Sequence, residues 1–126
     1  DYGTVDRDGK QVLLSESDLL CVPTTYKEPK GLFALEALAH GVPVVLPDHG
    51  AFPEVIGDVG GGRLVPPDDP QALATCWHDL LKDRAALSDL GLQGRKAVLS
   101  RRDAETMATK TLEVLNRIVQ QDIASA

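Results

Sequence analysis

Apolar residues fall into short unbroken runs over the first half of the chain, and recur only at helical spacing after that. Leu19-Leu20-Cys21-Val22 is one such run, stopped by Pro23, the pattern of a strand covered on both faces. Val42 to Leu46 forms a second run, closed by Pro47, and Arg63-Leu64-Val65 a shorter third one ended by Pro66-Pro67. The segments between them carry helix punctuation. Asp8, with Gln11 three residues on, resembles a capping box that opens a short helix to about Ser15. A helix from about Gly31 to His40 ends at Gly41, a good terminating residue. Another runs from about Ala51 to Ile56, ahead of the cluster Gly60-Gly61-Gly62. Asp69-Pro70 supplies an N-cap and a first-position proline for a helix through Leu81, with Leu73, Trp77, Leu80 and Leu81 on one face. Helices from about Arg84 to Leu99 and from Asp103 to about Gln120 follow. The last carries Met107, Thr111, Leu115 and Ile118 on one stripe, with Leu112 and Val119 beside it. This order predicts an α/β fold: a parallel sheet of about three to four short strands flanked by helices, then an all-helical C-terminal third.

Composition narrows the partners more than the fold. A length of 126 residues suits one domain with a modest core. The net charge of −6 argues against nucleic acid, because a polyanion needs a basic face. No apolar stretch approaches the ~20 residues of a membrane-spanning helix, and no signal peptide is visible. Cys21 and Cys76 fall in a predicted strand and a predicted helix, and are expected to be buried, reduced thiols, which fits a cytoplasmic protein. The chain begins at Asp1, with neither a methionine nor a leading strand, so it is expected to be a piece of a longer protein.

The candidate chemistry lies between the first two strands. Glu28 and Glu36 stand with seven residues between them, around Gly31 and the mouth of a helix. Backbone amides and the positive helix end can hold an anion there. Ionised carboxylates on either side accept hydrogen bonds from hydroxyls. A ligand with phosphates in the middle and hydroxyls at both ends suits this layout, and a nucleotide-sugar is such a ligand. Glu36 is flanked by Leu32, Phe33, Ala34, Leu35, Ala37, Leu38 and Ala39, so its helix is expected to be buried nearly all round; a carboxylate there must be paired or used. The three histidines offer no metal-ligand spacing: His40 is expected at a helix end, His49 in a loop and His78 on a surface face. Glu54 is expected in a capping or structural role. Gly60-Gly61-Gly62 precedes a strand instead of opening a helix, so it reads as a turn and not as a dinucleotide fingerprint.

The run Glu28-Pro29-Lys30-Gly31-Leu32-Phe33-Ala34-Leu35-Glu36, continuing to Gly41-Val42-Pro43-Val44-Val45, resembles the E-x7-E segment of the group 1 (family 4) retaining glycosyltransferases. Further motifs follow the same order. Gly50-Ala51-Phe52-Pro53-Glu54-Val55 is similar to the family's glycine-loop turn, and Gly62-Arg63-Leu64-Val65-Pro66-Pro67-Asp68-Asp69-Pro70 to its strand-to-helix stretch. Upstream, Tyr2-Gly3-Thr4-Val5 is similar to a glycine-bearing strand end, and Ser17-Asp18-Leu19-Leu20-Cys21-Val22-Pro23-Thr24 to the strand that follows it. The likeness runs over about residues 2 to 118.

The resemblance implies part of a Rossmann-like, donor-binding C-terminal domain of the GT-B type, with residues 1–126 forming one partial domain. It implies transfer of a sugar from a nucleotide-diphosphate sugar to an acceptor with retained configuration, and normally no metal. It places Glu28 on donor-sugar hydroxyls near the reacting carbon, as the catalytic position. The amides around Gly31, Leu32 and Phe33, with the Gly50 loop, would meet the donor sugar or its diphosphate, and Glu36 the ribose hydroxyls. Here the sequence reads Glu28-Pro29-Lys30-Gly31 where the family more often has Glu-Gly-Phe-Gly. Lys30 adds a cation beside the implied diphosphate, either as a phosphate contact or as a solvated loop lysine. By the same likeness the N-terminal acceptor domain lies outside the chain, so these residues alone are expected to be inactive, and the whole protein to be cytoplasmic or peripheral at a membrane. They are also expected to self-associate, through the Leu19–Val22 edge or the last helix. A non-catalytic domain of the same fold and a nucleotide-sugar epimerase are the alternative functions.

Overall fold

Asp6 starts the first helix in the computed structural model, which describes residues 3–125. Its carboxylate accepts the Gly9 amide at 2.8 Å, so α1 spans Arg7–Ser15. The cap is therefore Asp6 and not the expected Asp8, which lies inside the first turn and favours the positive helix end there. Of the expected strand end before it, Tyr2 lies outside the described residues, and Gly3 to Val5 is not a strand.

Eight further elements follow: β1 (Leu20–Cys21), α2 (Leu32–Ala39), β2 (Val44–Pro47), α3 (Phe52–Val59), β3 (Gly62–Val65), α4 (Pro70–Lys82), α5 (Arg84–Arg101) and α6 (Ala104–Ser125). The three strands form a parallel sheet in the order β1-β2-β3, with Leu20 opposite Val44 and Val44 opposite Gly62. Each crossover is a helix, as parallel neighbours require. The second strand starts at Val44 and not at Val42, because the Val42 amide bonds back to the Ala37 carbonyl in the turn leaving α2. The third helix runs on to Val59, past the expected end at Ile56, until Gly60 caps it at φ +63°.

β2 is the centre of the sheet, and all four of its residues are buried. Side chains alternate across a strand. Val44 and Leu46 join one core with Ala34, Ala37 and Leu38 of α2, Phe52, Val55 and Val59 of α3, Leu14 of α1 and Val98 of α5. Two glycines let α5 lie close to this layer. A Cβ on Gly91 would land on the Gly41 carbonyl oxygen, and one on Gly94 would come within 2.6 Å of Leu38 Cδ2 and 2.8 Å of Gly61 Cα. Small residues at the crossing thus set the depth at which α2 sits.

Two helices are less covered than their patterns imply. In α4 no residue is fully buried, and Trp77 and Leu81 of the apolar face remain 42% and 44% exposed. α6 extends past the expected stop near Gln120, and its stripe lies in solvent, with Leu112, Leu115 and Val119 between 52% and 59% exposed. Cys21 and Cys76 are half-buried free thiols, less enclosed than expected. Among the described residues, no helix is long and apolar enough to cross a membrane.

Candidate functional site

The loops leaving β1 and β2 meet at the start of α2. This is the carboxyl end of a parallel sheet, where open α/β folds place their ligands. The Ala51 amide donates to the Glu28 carbonyl at 2.8 Å, tying one loop to the other. Gly50 makes that closeness possible. Its φ is +60°, and a Cβ there would fall 2.7 Å from the Glu28 carbonyl oxygen and 2.9 Å from the Glu28 nitrogen. Only glycine meets both conditions. His49 adds a second tie, its Nε2 lying 2.9 Å from the Thr24 carbonyl oxygen. For Nε2–H to donate, the neutral ring must leave Nδ1 as an acceptor, and that buried atom has no protein partner.

Glu28 braces its own loop. Its Oε1 accepts the amides of Lys30 and Gly31, both at 3.2 Å, which leaves Oε2 outside these bonds. Gly31 is the N-cap of α2 at φ +67°, and no side chain caps the helix. The Ala34 amide turns back to the Gly31 carbonyl at 3.1 Å, while those of Leu32 and Phe33 have no intrahelical acceptor, so the α2 start presents these donors and the positive end of its dipole. Burial shapes the approach: a Cβ on Gly31 would press on Val55 Cγ2 at 3.3 Å.

The other predicted positions separate into three settings. Phe33 turns inward and packs edge-on against Phe52, with ring centroids 5.7 Å apart, so only its backbone faces the loop. Lys30 and Leu32 line a groove of about 680 Å³ between the α2 and α3 starts and α6, whose wall includes Met107, Thr111 and Leu115. Glu54, also expected as structural, lines that groove from the first turn of α3. Glu36 lies ~6 Å further along the α2 axis from Leu32, at 1.5 Å per residue. Its expected burial does not occur: the side chain is 44% exposed, because the buried face of α2 is made by Ala34, Ala37 and Leu38. It is instead paired. Lys10 Nζ donates to both carboxylate oxygens, at 2.8 and 2.9 Å. Lys10 is the residue that sequence reasoning missed; it comes from α1, 26 positions away, with no local signal.

The remaining chemistry is quiet. Burial pushes the Cys21 thiol above its usual range, opposed by a hydrogen bond with Trp77, and burial also raises Cys76. Thiols held protonated are poor nucleophiles. Among the described residues, no three His, Cys, Asp or Glu side chains are grouped to hold a metal ion. His40 caps the end of α2, its Nδ1 2.9 Å from the Glu36 carbonyl oxygen, and His78 is exposed on α4.

The family model of the glycosyl transferases group 1 matches residues 2–97. A phosphatidyl-myo-inositol mannosyltransferase of Mycobacterium leprae is 34% identical over 116 residues, covering 92% of this chain and 31% of that protein. An MMP alpha-(1->4)-mannosyltransferase of Mycolicibacterium hassiacum is 34% identical over 108 residues, 85% of this chain and 26% of that one. Among solved structures, a sucrose-phosphate synthase of Thermosynechococcus elongatus superimposes with a TM-score of 0.79 at 32% identity, over 98% of this chain and 30% of its own. The C-terminal domain of a group 1 glycosyl transferase from Francisella tularensis gives 0.70 at 28% identity, over 80% and 51%. The chain thus spans about a third or less of the curated relatives named here. By family match, by relatives and by a shared α/β Rossmann-like architecture, this chain belongs to the group 1 glycosyl transferases.

Proposed function

We propose that this chain binds the nucleotide-diphosphate sugar of a retaining glycosyltransferase. The observation that carries this reading is the clasp of the Glu28 and Gly50 loops at the uncapped start of α2. As the bond from the sugar to the diphosphate breaks, negative charge builds on the leaving phosphate oxygens. The Gly31 and Ala51 amides are taken by Glu28, but those of Leu32, Phe33 and Gly50 lie outside these bonds and are already fixed, so they meet that charge without reorganising. Lys30 stands beside them as a second source of positive charge, and in this reading no metal ion is assigned the task. Glu28 keeps one oxygen on its own loop and offers the other to donor-sugar hydroxyls near the reacting carbon. Glu36 accepts the ribose hydroxyls. The acceptor is assigned to a second domain, as the family resemblance implies. Reduced thiols at Cys21 and Cys76 support a cytoplasmic location.

Titration calorimetry on the full-length protein, with a panel of nucleotide-sugars and nucleoside diphosphates, tests the assignment. A Glu28→Gln variant is expected to lose turnover by more than it loses affinity for the free nucleoside diphosphate. Equal losses would make Glu28 a loop brace only. A non-catalytic domain is the second reading, and one observation favours it: both carboxylates already have partners within the chain. Absence of binding across the panel would decide for it.

A further inference from the structure

Glu36 is the only charged residue of α2, and the cation that holds it comes from a different helix. With side chains 43% and 44% exposed, the Lys10–Glu36 pair is worth little as a stabilising contact, because solvent screens exposed ion pairs. Its effect on geometry is larger. A free glutamate samples many rotamers, whereas here one ammonium touches both oxygens and fixes the plane of the carboxylate. An ionised carboxylate has about four acceptor sites. The ammonium takes one on each oxygen, so one on each is left. The adjacent 2′ and 3′ hydroxyls of a ribose present two donors side by side, which matches two parallel acceptors. The pair borders a hollow that also includes Val5, Asp6 and His40, open enough for a ligand to reach it.

We propose that Lys10 is a positioning residue for ribose recognition: it holds Glu36 in the orientation that accepts both hydroxyls, and so sets the preference for a ribonucleotide over a 2′-deoxyribonucleotide. This rests on the donor-site reading and adds to it a residue that acts through Glu36. In this proposal Lys10 acts on the ribose only through Glu36.

The test is calorimetry on the full-length protein. Uridine, guanosine and adenosine diphosphates are screened first, and the tightest binder is then compared with its 2′-deoxy form. Glu36→Gln is expected to weaken the ribonucleotide by about tenfold or more and to abolish its advantage over the deoxy form. Lys10→Met is expected to weaken the ribonucleotide by about two- to fivefold, with the deoxy form little changed, so that the ratio between them shrinks. Lys10→Arg restores most of the ratio, and the double variant is no weaker than Glu36→Gln alone. A Lys10→Met protein that loses both nucleotides equally, or neither, while Glu36→Gln loses the ratio, overturns the role of Lys10 and leaves the ribose assignment standing. If Glu36→Gln keeps full affinity and ratio, the ribose assignment itself fails. If none of the diphosphates binds, the donor-site reading falls and the role of Lys10 with it.

Discussion

α2 and α6 both carry more apolar residues than a solvated helix needs, yet they end in opposite surroundings. α2 sets Ala34, Ala37 and Leu38 fully inside the core, held at depth by the close approach of Gly91 and Gly94 on α5. Among its described residues α6 buries none, and Met107, Leu115 and Ile118 remain about half exposed or more. In the sequence α2 is apolar nearly all round, whereas α6 carries a single apolar stripe. The difference is a neighbour whose backbone can come close, which α2 has in α5. An apolar stripe says that a helix needs cover; it does not say which surface covers it.

Substitutions on the two helices' surroundings should break this symmetry most strongly. Phe52→Ala removes a fully buried ring beneath α2 and should cost about 3–5 kcal/mol, whereas Leu115→Ala on α6 should stay within ~0.5 kcal/mol. Urea unfolding of both variants checks the contrast; comparable losses would mean that α6 is packed in solution.

Gly50→Ala probes the site that α2 supports. The positive φ and the 2.7 Å approach to Glu28 predict a loss of about 1–3 kcal/mol, together with weaker nucleoside diphosphate binding. Thermal melts beside calorimetry separate the two effects. Unchanged affinity would detach the loop clasp from ligand binding.

The uncovered surfaces should also show in solution. Among the described residues β1 pairs with β2 alone, so its outer edge is open, and such edges template pairing with another chain. This chain is therefore expected to gain mass with concentration in sedimentation, and a Leu112→Glu, Leu115→Glu variant to do so less if α6 is the contact. A monomer at every concentration would refute self-association through either surface.

The smallest effect concerns the start of α6. The Asp103 carboxylate accepts the Thr106 amide at 2.6 Å, and this hydrogen bond lowers its pKa below the ordinary carboxylate value. Because the folded value is the lower one, the cap contributes above the ordinary value and is lost as pH falls through the folded one. Amide exchange at Thr106 should therefore quicken, relative to its intrinsic rate, only under strongly acidic conditions. A change already present near neutral pH would point to another group.

Much of the fold was legible because its signals are local. Asp69-Pro70 marked the start of α4, where the Asp69 carboxylate accepts the Ala72 amide at 2.9 Å, and Gly41 marked the end of α2. The apolar runs marked all three strands, although only Leu20–Cys21 of the first is paired. Capping was read two residues too late at α1, since Asp6 and Asp8 are both acids near the same helix start and only geometry separates them. At the site, the Glu28, Gly31 and Gly50 positions lie in loops whose glycines announce unusual backbone. The Glu36 environment was misread because neighbours in sequence do not reveal which side of a short helix faces the core. Its partner was invisible because Lys10 lies on α1, 26 positions earlier in the chain, and meets Glu36 only in the folded protein.

The bond from the Ala51 amide to the Glu28 carbonyl, with Gly50 pressed against it, also limits how this site can diversify. The two loops share one backbone seam, so a residue inserted into either would open the other. Under the proposed donor-binding function, preference among donors would change by exchanging side chains at exposed positions such as Lys30, while the lengths of both loops stay fixed by each other.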